Sequence, residues 1–319
     1  MSIASRSSSE HERLRIQQLD RRRAITAYAS VIAATLIWGT IHPVGKIILR
    51  DATSLQLVLV RSLLTSVTLI AYLAIRGNLG LMTIEMRRRP WRIVGLGLLS
   101  FFASSGLSMT GLQFLPASVN SLLANTSPLM LAIGSVVLFR RIPRPRIAVG
   151  LLLGFSGVGL LTFEGMTDLG AIGVIGVLLS LGGSLTWAIY TAWSRGEMQF
   201  GDPIAITAAA SLVGSAPFLL ISMANGQLQS LPSLPPTTLL WLIYAGVIGT
   251  ALTYALWMTA LRHLSATNVA AFQYVIPLNA VSISVLALGE PLTFGLIVGG
   301  MSILAGVALA QERVTAAVK

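Results

Sequence analysis

A step of 149 residues relates the two halves of the sequence, and this repeat constrains the fold more than any other feature. Residues 112–118, followed by Pro128, resemble residues 261–267, followed by Pro277. Further pairs at the same step are Trp38 with Trp187, Val149-Gly150 with Val298-Gly299, and Gly157-Val158 with Gly306-Val307. Since one register holds without a gap from near the start of the chain to near its end, the chain contains one structural unit twice.

The composition predicts an integral membrane protein. Of the 319 residues, 54% are hydrophobic and only 10% are charged, whereas a soluble protein carries roughly 25% charged residues. The net charge of +11 comes from short basic clusters between apolar runs. That distribution is typical of the positive-inside rule, so we expect no nucleic-acid partner. The chain has no cysteine, which excludes disulfides and thiolate chemistry.

Apolar runs of about 20 residues are long enough to span a bilayer as helices, and the sequence contains ten of them. They cover residues 25–48, 54–75, 91–114, 118–139, 147–164, 171–193, 203–224, 238–261, 266–287 and 292–310. We therefore predict an all-α integral membrane protein with ten transmembrane helices. Residues 1–23, which are polar and rich in arginine, and residues 312–319 are expected to be cytoplasmic tails, the first of them disordered.

Each repeat holds five predicted helices, an odd number, so the second repeat enters the bilayer upside down relative to the first. We predict two inverted five-helix repeats, at residues 24–165 and 170–311, around a central cavity. In secondary transporters built this way, the substrate site lies near the bilayer midplane between the repeats. Basic residues concentrate in the N-terminal tail and the even-numbered loops, as in Arg87-Arg88-Arg89, which predicts that both termini are cytoplasmic.

Polar side chains inside apolar spans are costly and usually have a function. If the first, third, fourth, sixth, eighth and ninth helices surround the cavity, several such residues and their aromatic neighbours converge on it. We predict that the substrate-binding residues are Trp38, His42, Arg61, Asn125, Trp187, Tyr190, Tyr254, Gln273 and Tyr274. Other polar or aromatic residues of the same stretches are Lys46, Asn120, Thr250, Trp257 and Asn268.

These residues also have purely structural interpretations. Aromatic residues at helical spacing often form a packed core, and a lone histidine is often buried with its hydrogen bonds satisfied. Arg61 and Lys46 have side chains long enough to extend to the membrane surface or to pair with Asp51. Asn125, Gln273 and Tyr274 are suited to hydrogen bonds between neighbouring helices. The sequence leaves these alternatives open.

Prolines and glycines recur at equivalent positions of the two repeats. A proline inside a helix frees a carbonyl one turn earlier and bends the helix, so we predict structural hinges at Pro128 and Pro277. Small residues suit close helix packing or dimerisation, and we expect a monomer or a weak homodimer through the fifth and tenth helices. The glycines concerned are Gly150, Gly154, Gly157, Gly159, Gly299, Gly300 and Gly306.

The sequence lacks the signatures of several energy sources and of catalysis. All 11 acidic residues lie in tails, loops or helix ends, so His42 is the one candidate for a proton relay at depth. No P-loop, no Gly-x-Ser-x-Gly and no His-Glu-x-x-His occurs. We therefore expect facilitated diffusion or exchange, with no cofactor, no metal and no enzymatic activity. Without a buried acid, neutral or zwitterionic cargo is favoured over polycations.

A set of short motifs, in order along the chain, resembles the drug/metabolite transporter superfamily, and specifically its ten-helix EamA type. The motifs are Trp38-Gly39, Leu59-Val60-Arg61, Ala117-Ser118 followed by Pro128, Trp187, Ser265-Ala266-Thr267 before Pro277, and Gly289-Glu290-Pro291-Leu292. The resemblance covers residues from about 25 to 310. In two places the halves differ: Ala210 stands where the first half has Arg61, and Arg140-Arg141 stands where the second has Gly289-Glu290.

The resemblance implies a basket of helices with a central cavity and with the fifth and tenth helices at the periphery. It also implies an exporter of amino acids, other small metabolites or drugs, located in the bacterial cytoplasmic membrane and surrounded by lipid. Our leading hypothesis is a secondary transporter that exports amino acids or related small metabolites, zwitterionic or neutral, by alternating access. The alternatives are a multidrug or other-metabolite exporter of the same fold and, from other classes, an intramembrane enzyme, a scaffold or a receptor.

Overall fold

The computed structural model describes residues 24–139, 145–198, 201–264, 269 and 272–310, and these residues form helices and no strand. The helices are α1 (Ala24–Ile48), α2 (Ser54–Ile75), α3 (Leu79–Arg88), α4 (Pro90–Phe114), α5 (Ala117–Ala124), α6 (Ser127–Phe139), α7 (Pro145–Glu164), α8 (Gly170–Ser194), α9 (Pro203–Ala224), α10 (Pro236–Ala260), α11 (Phe272–Leu288) and α12 (Phe294–Ala310). The expected tails, Asn268 and residues 265–267 lie outside the described residues.

Seven of the described helices are long and apolar enough to cross a membrane: α1, α2, α4, α7, α8, α9 and α10. Two shorter apolar helices, α11 and α12, correspond to the ninth and tenth predicted spans. The two halves of the repeat therefore contribute apolar helices in the expected order, which confirms an all-helical membrane protein. Large hydrophobic side chains on outward faces, such as Leu152 at 73% and Leu286 at 86% exposure, are suited to contact with lipid.

The predicted span over residues 118–139 is divided into two helices, α5 and α6. The break between α5 and α6 falls at Asn125 and Thr126. Pro128 has no N–H to donate to the carbonyl one turn earlier, which weakens the helix at this point. Local side chains take up carbonyls at the break: Asn125 Nδ2 donates to Ser121 O at 2.8 Å, and Thr126 Oγ1 donates to Leu123 O at 2.7 Å. The site of the predicted hinge is thus a real discontinuity of the helix.

The repeat is visible in the helix boundaries themselves. Helix α9 begins and ends 149 residues after α2, and each is 22 residues long. Each is preceded by a side chain that caps its first turn, Thr53 for α2 and Asp202 for α9. Each is followed by a glycine in the left-handed region, Gly77 at φ 69° and Gly226 at φ 67°. Equivalent sequence signals therefore start and stop equivalent helices.

Equivalent helices of the two halves run in opposite directions. Glu164, at the end of α7, accepts hydrogen bonds from Thr293 Oγ1 at 2.7 Å and Gly295 N at 2.5 Å, at the start of α12. Arg146, near the start of α7, donates to the carbonyl of Ala308 near the end of α12 at 3.3 Å. Since α7 and α12 are the fifth spans of the two repeats, their antiparallel packing shows that the repeats are inverted.

Glycines bring α7 and α12 into close contact within the one chain. A Cβ atom on Gly157 would overlap the carbonyl oxygen of Gly299, and one on Gly306 would overlap the backbone of Gly150 and Gly154. The backbones therefore approach more closely than larger residues would allow. Gly159, by contrast, has open space beside its Cα. The predicted homodimer through these two helices stays a prediction.

Two helices contain a π-helical segment at the level of the cavity. In α4 it covers Leu98–Ser104, and in α10 it covers Tyr244–Leu252. The two segments overlap when the step of 149 residues is applied. A π segment widens the turn and rotates the side chains that follow it, and it often marks a functional region. Here the widened turns bring α4 and α10 side chains to the centre of the bundle.

Candidate functional site

A cavity of about 220 Å³ lies between the two repeats. Its lining comes from α1, α2, α4 and the α5–α6 break in the first half, and from α8, α10, α11 and α12 in the second. Eight of the nine predicted substrate-binding residues line it, together with both predicted hinge prolines: Trp38, His42, Arg61, Asn125, Trp187, Tyr254, Gln273, Tyr274, Pro128 and Pro277. The fold therefore brings residues that are far apart in the chain to one space.

The lining of the cavity follows the internal repeat. Many of its residues occur in pairs 149 positions apart, with one member from each half: Trp38 with Trp187, Ser100 with Gly249, Phe101 with Thr250, Ser105 with Tyr254, Asn125 with Tyr274, and Pro128 with Pro277. The two halves thus face the cavity with the same elements. The side chains in a pair differ, however, so the two sides of the cavity have different chemistry.

Aromatic rings form much of one wall. The ring centroid of Trp38 lies 5.6 Å from that of Tyr254, edge to face, and 5.2 Å from that of Trp257. The rings of Phe101 and Tyr254 lie 6.2 Å apart. Such pairs hold one another in fixed orientations. They present flat, polarisable surfaces of the kind that pack against an apolar or aromatic ligand.

Tyr190 does not reach the cavity, which differs from the sequence prediction. Its side chain is only 5% exposed and packs behind Trp187, with the ring centroids 5.0 Å apart. The hydroxyl of Ser100 lies near the hydroxyls of Tyr190 and Tyr254. Trp187 and Tyr190 share one face of α8, but only Trp187 lines the cavity. Tyr190 therefore supports a lining residue instead of lining the cavity itself.

His42 is anchored by a buried asparagine. Its Nδ1 lies 2.7 Å from Oδ1 of Asn120 on α5. The amide nitrogen of Asn120 donates to the carbonyl of Ser108 at 3.1 Å and to Oγ of Ser180 at 2.9 Å. Asn120 therefore connects α1, α4 and α8. Asn120 is fully buried, so it supports the cavity wall through these hydrogen bonds.

Arg61 places a guanidinium at the cavity. It is half-buried, seven residues into α2, and donates a hydrogen bond to the hydroxyl of Ser105 on α4. It does not extend to the membrane surface, and it does not pair with Asp51, whose carboxylate accepts a hydrogen bond from Thr238 instead. The lining also includes the side chains of Asn125 and Gln273. Cationic, amide and aromatic groups thus share one cavity.

A serine-rich face of α4 is the part of the site that we did not predict. Ser100, Ser104 and Ser108 recur every four residues and line the cavity together with Ser105. The spacing of one helical turn was readable in the sequence. Serines are so common in transmembrane helices, however, that the pattern alone does not separate a cavity face from a helix contact.

The structure also places Lys46 and the tenth predicted helix. Lys46 lies outside the cavity lining: its Nζ donates to the carbonyls of Leu112 at 2.9 Å and Leu115 at 2.7 Å, so it caps the end of α4. The tenth predicted helix is not purely peripheral, because Leu304 and Val307 of α12 line the cavity. Close packing of α12 on α7 leaves its other face free to point inward.

Inverted helical repeats around a polar and aromatic central cavity define the class of membrane transporters. A model of the EamA-like transporter family matches residues 25–163 and 174–311, one match for each repeat. The chain therefore belongs to the EamA-like transporter family, within the drug/metabolite transporter superfamily.

Individual relatives agree with this assignment. The chain is 27% identical over 300 residues to the uncharacterized transporter YvbV of Bacillus subtilis, covering 93% of this chain and 94% of the relative. It is also 27% identical over 284 residues to a protein of Salmonella typhimurium named a probable amino-acid metabolite efflux pump, covering 86% and 91%. A solved crystal structure superposes with a TM-score of 0.63 at 20% identity, over 90% of this chain and 97% of that one, which is a likeness of fold.

Proposed function

We propose that this protein is a secondary transporter that exports amino acids or related small metabolites across the bacterial cytoplasmic membrane. The observation that carries the proposal is the cavity between inverted repeats, lined by aromatic faces and hydrogen-bonding groups and, among the described residues, by no acidic side chain. The printed name of the Salmonella typhimurium relative, an efflux pump for amino-acid metabolites, supports the same cargo class. Both termini lie in the cytoplasm in this proposal.

In this proposal, two groups of lining residues bind different parts of the cargo. Trp38, Trp187 and Tyr254 provide flat surfaces for an apolar or aromatic part of the cargo, with Tyr190 behind Trp187. His42, Asn125, Gln273 and Tyr274 supply hydrogen bonds to its polar end. Neutral and zwitterionic cargo fit this lining better than polycations, which would lack a counter-ion.

Alternating access would follow from rocking of the repeats about the cavity. The helix break before Pro128, and the short 3₁₀ segment at Phe272–Tyr274 before Pro277, occur at equivalent positions. The first interrupts the helical hydrogen bonds beside the cavity and the second is a tighter turn at the start of α11, and both are suited to bending. In the absence of a described acidic side chain at the cavity, facilitated diffusion or exchange is the simplest form of transport.

The test is release from liposomes that contain the purified protein. Vesicles loaded with labelled amino acids should lose label faster with the protein than without it, and unlabelled amino acid outside should accelerate the loss if the protein exchanges substrates. A panel of cationic dyes in parallel vesicles tests multidrug export. Release of dyes without release of any amino acid would contradict the proposal.

A further inference from the structure

Arg61 is a positive charge held at depth within a membrane protein. It follows the first residue of α2 by seven positions, which places its backbone roughly 10 Å along the helix at 1.5 Å per residue. Its side chain lines the cavity. A charge in this position is costly unless a partner compensates for it, and such residues commonly mark a ligand path.

The partners of Arg61 within the described residues are few. The guanidinium donates to the hydroxyl of Ser105, and no carboxylate of the described chain forms an ion pair with it. None of its nitrogens is among the buried polar atoms that lack a partner. A guanidinium carries five N–H donors in a planar fork. The donors that Ser105 does not use are therefore open to the cavity, where a ligand would meet them.

Only the first of the two repeats has an arginine at this position. The position equivalent to Arg61 in the second half is Ala210, which is 2% exposed and packs against Gly97 of α4. The cavity lining described here therefore contains one arginine and no second fixed cation opposite it. One guanidinium matches a single negative charge, and its planar fork matches the two oxygens of a carboxylate.

We propose that Arg61 is the anchor for a carboxylate, and that the free carboxylate, not the amino group, is what the cavity recognises. This inference rests on the proposed transport function and names the chemical class of its cargo: small organic monoanions and zwitterions with a carboxylate. The apolar part of the cargo packs on Trp38 and Tyr254, which line the same cavity as Arg61. An ammonium group finds no carboxylate among the described lining residues and is dispensable.

A matched ligand series tests the proposal on the unmodified protein. Phenylalanine, N-acetylphenylalanine, phenylalanine amide and phenyl phosphate are similar in size and differ in their charged groups. Leucine and threonine, with their N-acetyl and amide forms, repeat the comparison for other side chains. In detergent, the acids and N-acetyl acids should raise the melting temperature, and the amides should not. Equal shifts with acids and amides, or tighter binding of phenyl phosphate than of the carboxylates, would overturn the proposal.

Substitutions of Arg61 test whether its guanidinium is responsible for carboxylate binding. Loss of one partner of a buried charged contact typically costs enough free energy to weaken binding by a factor on the order of 30 or more. Arg61→Gln should therefore weaken the binding of N-acetylphenylalanine by at least that factor, and Arg61→Lys should recover part of it. Arg50→Gln, at an exposed position just after α1, is the matched control and should bind as the unmodified protein does. Unchanged binding in a folded Arg61→Gln variant would also overturn the proposal.

A release assay distinguishes failure of the carboxylate anchor from failure of the proposed export function. Release of phenylalanine amide at the same rate as phenylalanine would refute the carboxylate anchor and leave amino-acid export intact. Binding that is specific for carboxylates and lost in Arg61→Gln, without release of any labelled compound, would support the anchor and contradict export. Absence of any shift with every carboxylate tested refutes the anchor whether or not transport is seen.

Discussion

The amide oxygen of Asn120 accepts a hydrogen bond from Nδ1 of His42 at 2.7 Å. The orientation of the amide follows from its other contacts, since its nitrogen donates to the carbonyl of Ser108, which can only accept. Nδ1 of His42 therefore carries the proton, and Nε2 is the atom left for the cavity. The buried amide of Asn120 thus determines which ring nitrogen of His42 is available to a ligand in the cavity.

Replacement of Asn120 by leucine should destabilise the protein. The change leaves buried Nδ1 of His42 without its hydrogen-bond partner, at a cost of about 1–3 kcal/mol. Thermal unfolding in detergent measures the loss. Asn225→Leu is the control, because Asn225 is exposed at the end of α9. Equal melting temperatures for the two variants would show that the buried hydrogen bonds contribute nothing measurable.

The two tryptophans related by the repeat should both be required for ligand binding. Trp38→Ala and Trp187→Ala should abolish the ligand-induced rise in melting temperature, because each removes an aromatic surface from the cavity. Trp193→Ala, on α8 and 41% exposed, should leave it unchanged. Trp38→Phe should retain part of the effect, since a smaller ring still packs against Tyr254. Full shifts in both alanine variants would mean that the site is wrongly assigned.

Two neighbouring glycines of α7 should respond to alanine with opposite signs. Gly157→Ala places a Cβ against the backbone of Gly299, and overpacking of this kind costs typically about 1–3 kcal/mol. Gly159→Ala meets open space and should stabilise the helix by up to about 1 kcal/mol through propensity. Melting temperatures in one detergent make the comparison. Two variants that shift in the same direction would contradict the close α7–α12 contact.

We expect the loop between α11 and α12 to move away from the start of α5 during transport. Glu290 accepts hydrogen bonds from Ala117 N at 2.6 Å and from Ser118 N at 3.0 Å, so it caps α5. The chain has no native cysteine, so Ser118→Cys with Glu290→Cys gives one defined pair. A short reducible cross-linker between the two thiols should stop release from liposomes, and reduction should restore it. Each single cysteine variant, treated in the same way, is the control. Undiminished release in the cross-linked protein would show that this contact persists throughout the cycle.

The sequence by itself determined the repeat, the apolar helices and most of the candidate cavity residues. These properties are local: a run of apolar residues predicts a span, and a polar group such as Arg61 or His42 within it is conspicuous because burial is costly. The inverted arrangement also follows, since five spans per repeat reverse the direction of the second. The helix ends agree closely for the same reason, because caps such as Thr53 and Asp202 act within one turn.

Only the tertiary structure decided which of the conspicuous side chains reach the cavity and which serve its walls. Tyr190 lies behind Trp187, Asn120 holds His42, and Lys46 caps α4, although all three share the polar or aromatic character of the lining residues. The serines of α4 line the cavity although serine is common in transmembrane helices and their spacing does not distinguish a cavity face from a helix contact. A position along a helix specifies a face, but the rotation of that face and the neighbour opposite it depend on how every other helix packs.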